Sequence, residues 1–334
     1  MIRTDEFSER LHRNAVRLDS RELLIARLEG SDQEGDLTVP PNCGGIGRIR
    51  HFHRRTHDGW PENPLPIDPA CAFLGLPGGT DRIDAQVFQN AACNWRCWYC
   101  FVPFALLSAD DTRGEWLTAD AMVARYLGEA DRPTVIDLTG GQPDLVPEWV
   151  PWMIGAVTSA GIAGSVYLWS DDNLSNDYFF RFLSPTEQRR VAECPGYGRV
   201  CCFKGFDSAS FSFNTKAHPD LFDRQFDLFG RLLTTGMDLY AYATFTAPQK
   251  DGVGPAMSRF VDRLQGIAEG LPLRVVPLEI EEYGPVVGRM TDVHHTAMEV
   301  QHAAIAAWTS ELERRFTRDE RRVPIHQVQI ARDG

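Results

Sequence analysis

Between Asp84 and Thr317 the chain repeats one pattern about six times: a short apolar run, then a longer amphipathic stretch. That repeat restricts the fold more than any other feature, because strands alternating with helices form βα units around a parallel sheet. The runs are "DAQVFQNA" (84–91), "TVIDLTGG" (134–141), "SVYLWSDD" (165–172), "RVCCFKGF" (199–206), "DLYAYATFT" (238–246) and "LRVVPLEI" (273–280). "SASFSFN" (208–214) is a candidate extra strand. Helices are expected over 118–130, 147–161, 184–193, 218–236, 254–270 and 292–317. Thr118 is placed to cap the first. Ser184, Pro185 and Glu187 form a capping box with proline at the first helical position. Ahead of this repeat, residues 5–30 predict one or two amphipathic helices. Residues 31–82 are rich in Gly, Pro, Asp and Asn, and predict a long irregular segment wrapped over another domain. Three regions are thus expected: an extension over 1–83, a βα domain over 84–320 and a tail over 321–334.

Bulk properties exclude some functions. A chain of 334 residues, 43% hydrophobic, has ample material for a core. Its formal net charge of -12 argues against nucleic acid as the partner, since phosphate neutralisation needs clustered Lys and Arg. No apolar run approaches the roughly 20 residues of a membrane span. The first residues, "MIRTDEFSERLHRNAVRLDS", are charged and helical in pattern rather than a signal peptide. A cytoplasmic protein is expected, with cysteines that are reduced, metal-bound or buried rather than paired.

Residues with unusual chemistry fall after the predicted strands, where parallel βα sheets carry their sites. "CNWRCWYC" (93–100) follows the first, "TGGQPD" (139–144) ends the second and "SDDN" (170–173) the third. "CFKG" (202–205) ends the fourth and "EEYGP" (281–285) the sixth. Three cysteines in eight residues admit three readings. Structural zinc wants four ligands, commonly in two pairs, which this spacing does not supply. Cysteines also pack well when buried. Iron–sulfur clusters take thiolates from short loops of this kind, and three thiolates on a four-iron cluster leave one iron open.

"CNWRCWYC" resembles the CxxxCxxC signature of the radical S-adenosylmethionine (radical SAM) enzymes, over roughly residues 84–285. The resemblance implies a partial (β/α)6-type barrel of α/β class. It implies a [4Fe-4S] cluster on Cys93, Cys97 and Cys100, with S-adenosylmethionine (SAM) chelating the open iron. The reduced cluster would cleave SAM to a 5'-deoxyadenosyl radical, which abstracts a hydrogen atom from the substrate. An electron donor such as flavodoxin or ferredoxin is implied as a partner. Tyr99 would lie against the adenine. Thr139, Gly140, Gly141 and Gln142 resemble the family's glycine-rich motif that receives the SAM ammonium, with Gln142 where Glu is usual. A glutamine carbonyl still accepts such a bond, without charge assistance. Gln142→Glu is accordingly expected to be tolerated or to tighten SAM binding.

Within the family the layout is similar to the glycyl-radical-enzyme activating enzymes, such as pyruvate formate-lyase activating enzyme. "WSDDNL" resembles their "DTNG", "VCCFKG" their "LDLKG" and "PLEIEEYGP" their "PYH" segment. The resemblance assigns Asp171, Asn173 and Lys204 to SAM. Cys202 stands where those enzymes have Asp. Adjacent Cys201 and Cys202 point to opposite faces of a strand, and whichever faces the lumen is a candidate hydrogen-atom donor. Cys202 and Tyr283 are the catalytic candidates.

One segment stands apart. "GGIGRIRHFHRRTHDGW" (44–60) gathers Arg48, Arg50, Arg54 and Arg55 with His51, His53 and His57 in an acidic chain. It is a histidine metal site, a solvated loop, or a lid over the barrel mouth whose arginines bind a substrate anion. The expected function is a radical SAM enzyme, oxidoreductase or lyase, acting on a small anionic organic substrate. The alternatives are a peptide- or protein-modifying enzyme of the same chemistry, and a non-catalytic iron–sulfur or zinc protein.

Overall fold

The computed structural model describes residues 1–330; residues 331–334 of the expected tail lie outside the described residues. The strands are β1 (Val16–Arg17), β2 (Glu22–Ala26), β3 (Gly47–His53), β4 (Arg82–Gln89), β5 (Gly114–Thr118), β6 (Val135–Thr139), β7 (Tyr167–Asp172), β8 (Tyr197–Phe203), β9 (Leu239–Thr244) and β10 (Val275–Leu278). Seven make one sheet in the order β10-β9-β8-β7-β6-β4-β3. From β4 to β10 every neighbouring pair is parallel, and β3 runs antiparallel to β4. The fold is thus mixed α/β with six parallel strands in chain order.

The strands sort their side chains by alternation. Ile136, Leu138, Leu168, Cys201, Phe203, Leu239, Ala241 and Ala243 face the helices and join the main core. Val135, Tyr167, Trp169, Val200, Tyr240, Tyr242 and Val276 face the other way, and meet Phe52 of β3 and Ile83 of β4 in one cluster. Strands from both edges of the sheet reach that cluster, so the sheet is curled into a half-barrel with a filled lumen.

The expected helices form with their expected caps. Thr118 Oγ1 accepts from the amide of Ala121, and Ser184 with Glu187 makes a capping box. Three expectations change. The first helix, Thr4–Ala15, stops where the chain enters β1 and β2. "ELLIA" is buried by pairing with β5, and this tertiary contact overrides helical periodicity. "SASFSFN" belongs to a helix, Ser208–Thr215, because Asp207 caps it through a bond from the amide of Ser210 at 2.7 Å. The supposed irregular segment 31–82 contains β3 and a helix, Ile67–Leu74. Leu65, Ile67, Ala70 and Cys71, with Ile325 from the C-terminal segment, pack into the lower lumen cluster. The extension and the tail therefore plug the floor of the half-barrel. Residues 48–53 form its edge strand rather than a lid.

Outside the lumen, Arg199 of β8 is fully buried. Its Nη1 donates to Asp144 Oδ2 at 3.0 Å and lies 3.5 Å from Asp172 Oδ2, and its Nε donates to Tyr197 Oη at 3.0 Å. Burial pushes the Asp144 carboxyl up to about 7 against the pull of Arg199. Breaking such a pair from one side costs about 3–5 kcal/mol, since it strands a buried charge. Arg199→Met is expected to lose that much in urea unfolding, and Arg199→Met with Asp144→Leu to recover part of it. Equal losses in the two variants would show that Asp144 is not the partner that matters.

Candidate active site

One cavity opens at the C-terminal ends of the parallel strands. Its walls include Arg50, Cys93, Cys97, Tyr99, Cys100, Phe101, Thr139, Gly140, Gly141, Asp171, Asn173, Cys202, Lys204, Tyr242, Glu279, Glu281 and Tyr283. The sheet brings the cysteine loop, the glycine turn after β6 and the ends of β7 and β8 together around this one space.

The aromatics among the cysteines anchor the loop. Trp95 is buried edge-on to Phe211, and its Nε1 donates to Thr4 Oγ1 at 3.2 Å. Trp98 Nε1 donates to Asn214 Oδ1 at 3.1 Å. The amides of Arg96 and Trp98 donate to the carbonyls of Thr215 and Asn214. The helix 208–215 is therefore a mount for the loop. Two guanidinium groups clamp its carbonyls: Arg96 donates to Cys93 O at 2.5 Å and Arg289 to Cys100 O at 2.6 Å.

All three thiols are free and half-buried. Among the described residues, only His57, Glu279 and Glu281 bring three candidate ligand atoms within 4.8 Å of one another. The three sulfurs are thus splayed wider than a single ion gathers its ligands. Burial pushes the Cys100 thiol up to about 12, with the neighbouring Cys97 adding to it; burial also raises Cys93 and Cys97. A bound metal charge reverses this, because a coordinating thiol is deprotonated. Three thiols on one wall, spread wide and open to the cavity, fit a multi-iron cluster.

Two charges face the same cavity. Asp171 accepts from Thr139 Oγ1 through Oδ2, while its buried Oδ1 has no partner. Lys204 makes no side-chain hydrogen bond or ion pair among the described residues. Burial works against its charge, but Cys202, Tyr99, Cys97 and Asp171 hold its pKa well above the ordinary lysine value. A free carboxylate oxygen and a free ammonium suit the two ends of an amino acid. Tyr99 is buried, and its hydroxyl lies 3.1 Å from Thr244 Oγ1.

Gln142 is in neither group. Its Nε2 donates to Asp172 Oδ1 at 2.8 Å and its Oε1 accepts from the amide of Asn173 at 2.8 Å. Both ends of the side chain tie the β6 turn to the β7 turn, and the cavity wall does not include it. Asp171, on the neighbouring β7, is the carboxylate that faces the cavity instead. Cys202 faces the lumen and Cys201 the core, as alternation requires. Tyr283 sits at the rim, 41% exposed, with its hydroxyl donating to Glu281 at 2.9 Å.

The basic segment divides. Arg50 lines the cavity and donates to Asp137 Oδ2 at 3.2 Å. Arg48 is buried beside it, 5.1 Å from the centre of the Phe101 ring. Arg54 and Arg55 lie elsewhere: Arg54 is held by Asp68 at 2.5 Å, and exposed Arg55 by Glu62 at 3.0 Å. The histidines also separate. His51 pairs with Asp84, His53 is exposed, and His57 pairs with Glu279 at the rim. Asp137 escaped the sequence reading, although a lone acid in "VIDLT", two places before Thr139, was the signal for a charge in the lumen.

No family model and no curated protein matches the chain. Three solved structures of Streptococcus suis SuiB are similar in part. SuiB bound to precursor peptide SuiA gives a TM-score of 0.37 at 14% identity, covering 53% of this chain and 36% of that one. SuiB bound to S-adenosylmethionine gives 0.39 at 15%, covering 54% and 37%. SuiB in a further structure gives 0.38 at 16%, covering 54% and 36%. The chain spans little more than a third of SuiB's length.

Gln142→Glu is expected to destabilise the protein by about 1–3 kcal/mol, because it replaces a donor to Asp172 Oδ1 with a second buried carboxylate, leaving that oxygen only the amide of Leu174. Chemical denaturation checks this. Wild-type stability in the Glu variant would mean that the side chain turns into the cavity instead.

Proposed function

We propose that this protein is a radical SAM enzyme that abstracts a hydrogen atom from an organic substrate. The observation that carries the reading is the meeting, in one cavity, of three splayed thiols with an unpartnered Asp171 oxygen and an unpaired Lys204. Cys93, Cys97 and Cys100 would hold a [4Fe-4S] cluster, which supplies the electron for reductive cleavage of SAM. The chain's residues bind and orient. Asp171 Oδ1 accepts from the SAM ammonium, and Lys204 pairs with its carboxylate. The backbone of Thr139, Gly140 and Gly141 borders the methionine, Asn173 lines the wall beside it, and Tyr99 flanks the adenine. Cys202 stands in the same cavity as a thiol whose proton is held firmly: burial raises its pKa to about 12. The aromatic floor excludes water from below, which protects a reactive intermediate.

Anaerobic reconstitution is expected to load about four irons per chain, a count that follows from the cluster type. Cys97→Ala should remove most of that iron. With dithionite and SAM, the wild type should release 5'-deoxyadenosine. Zinc in place of iron, or full iron retention in the alanine variant, would refute the cluster.

The SAM contacts have their own test. Asp171→Asn is expected to weaken SAM binding about tenfold or more, the worth of a charged hydrogen bond of about 1.5–3 kcal/mol. Iron content should not change. Unaltered SAM affinity, measured by equilibrium dialysis on the reconstituted protein, would remove Asp171 from the site.

A further inference from the structure

Arg48 is a buried guanidinium without a partner. The residue is 6% exposed, and neither its Nε nor its Nη2 has a hydrogen bond. No carboxylate lies within ion-pair distance of it among the described residues. A protein rarely leaves such a group unpaired, because a desolvated charge is costly without a counter-charge. Arg48 and Arg50 are two places apart on β3, so both project from the lumen face. Register sets Arg48 level with Asp137 through Val87, and Arg50 one layer lower, level with Val135 through Ala85. Arg50 already shares its charge with Asp137. The other groups near Arg48 are Asp171, Phe101 and Tyr283; they belong to the cavity wall, behind which Arg48 lies.

We infer that Arg48 and Arg50 form a recess in the lumen, below the proposed SAM site, that takes one carboxylate of the substrate. Arg48, Arg50 and Asp137 sum to a single positive charge with the acid ionised, which matches a monoanion. A phosphate dianion would leave one negative charge unmatched. Arginine's planar fork suits the two oxygens of a carboxylate. Asp137 is a positioning residue: it holds Arg50 and leaves Arg48 free. A small free acid and the C-terminal carboxylate of a peptide share this chemistry. The substrate meaning of the recess rests on the proposed function, but anion binding itself does not need the cluster.

The test uses the full chain, with and without reconstituted iron, and reads thermal unfolding and calorimetric binding. The probes are hexanoate, its neutral amide hexanamide, inorganic phosphate, and N-acetyl-dialanine with a free or amidated C-terminus. Hexanoate should stabilise the wild type saturably, while hexanamide does nothing and phosphate does less. Stabilisation by the free dipeptide acid but not its amide, at lower concentration than hexanoate, assigns the recess to a peptide terminus; the reverse order assigns it to a small acid. Arg48→Met should bind hexanoate at least tenfold more weakly, the fold-change of one charged hydrogen bond. Without ligand it should unfold no earlier than the wild type, because it removes an uncompensated buried charge. Arg48→Lys keeps the charge, should fold, and should recover only part of the binding. No carboxylate effect on the wild type, or an Arg48→Met variant that is less stable and binds as the wild type does, overturns the recess. Carboxylate binding by a protein that loads no iron would sink the radical chemistry and leave the recess standing; iron loading and SAM cleavage without carboxylate binding would do the opposite.

Discussion

Arg199 buries a full positive charge, and the turns after β6 and β7 are arranged around it. Its guanidinium binds Asp144, which follows the β6 turn, and approaches Asp172 at the end of β7. Asp172 in turn receives Gln142 and the amide of Leu174 through Oδ1. One cation therefore organises two consecutive strand-end turns from the outer side of the sheet. Those turns present Thr139, Gly140, Gly141, Asp171 and Asn173 to the cavity on the inner side. Fixing the turns from behind leaves one inner acceptor, Asp171 Oδ1, free of structural duties. Asp171 shows the result, with one oxygen held by Thr139 and the other unused.

The lumen is layered by polarity. Its lower part is aromatic and aliphatic, from Tyr167, Trp169, Tyr240 and Phe52 to Leu65 and Ile67. Its middle holds Arg48, Arg50 and Asp137. Its mouth holds the thiols, Asp171 and Lys204. Burial and the nearby charge of Asp171 push the Asp137 carboxyl up to about 7, against the pull of Arg50 and Arg48. Arg50 and Asp137 hold each other in this layer, where solvation is poor, and Arg48 has no ion-pair partner among the described residues.

Much of this was legible in the sequence. The six βα units, their order and the convergence of the strand-end motifs follow from period and spacing, which depend on local burial. Alternation also separated Cys201 from Cys202. What failed depended on contacts distant in sequence. "ELLIA" is a strand only because β5 lies beside it. "SASFSFN" alternates like a strand, yet the Asp207 cap turns it into the helix that mounts the cysteine loop. Gln142 matched a ligand position by pattern and is taken by Asp172 instead. The arginines of 48–55 looked like one cluster, but the strand ends at His53 and sends only the first two into the lumen.

The plug beneath the barrel has a consequence for access. Helix 67–74 and Ile325 pack into the lower end of the lumen, away from the strand ends where the cavity opens. Asp137 lies two places before Thr139 on the same face of β6, so its level is reached past the level of Thr139. The N-terminal extension, which contributes no thiol to the cavity wall, thus closes one of the two ends from which the lumen could be entered.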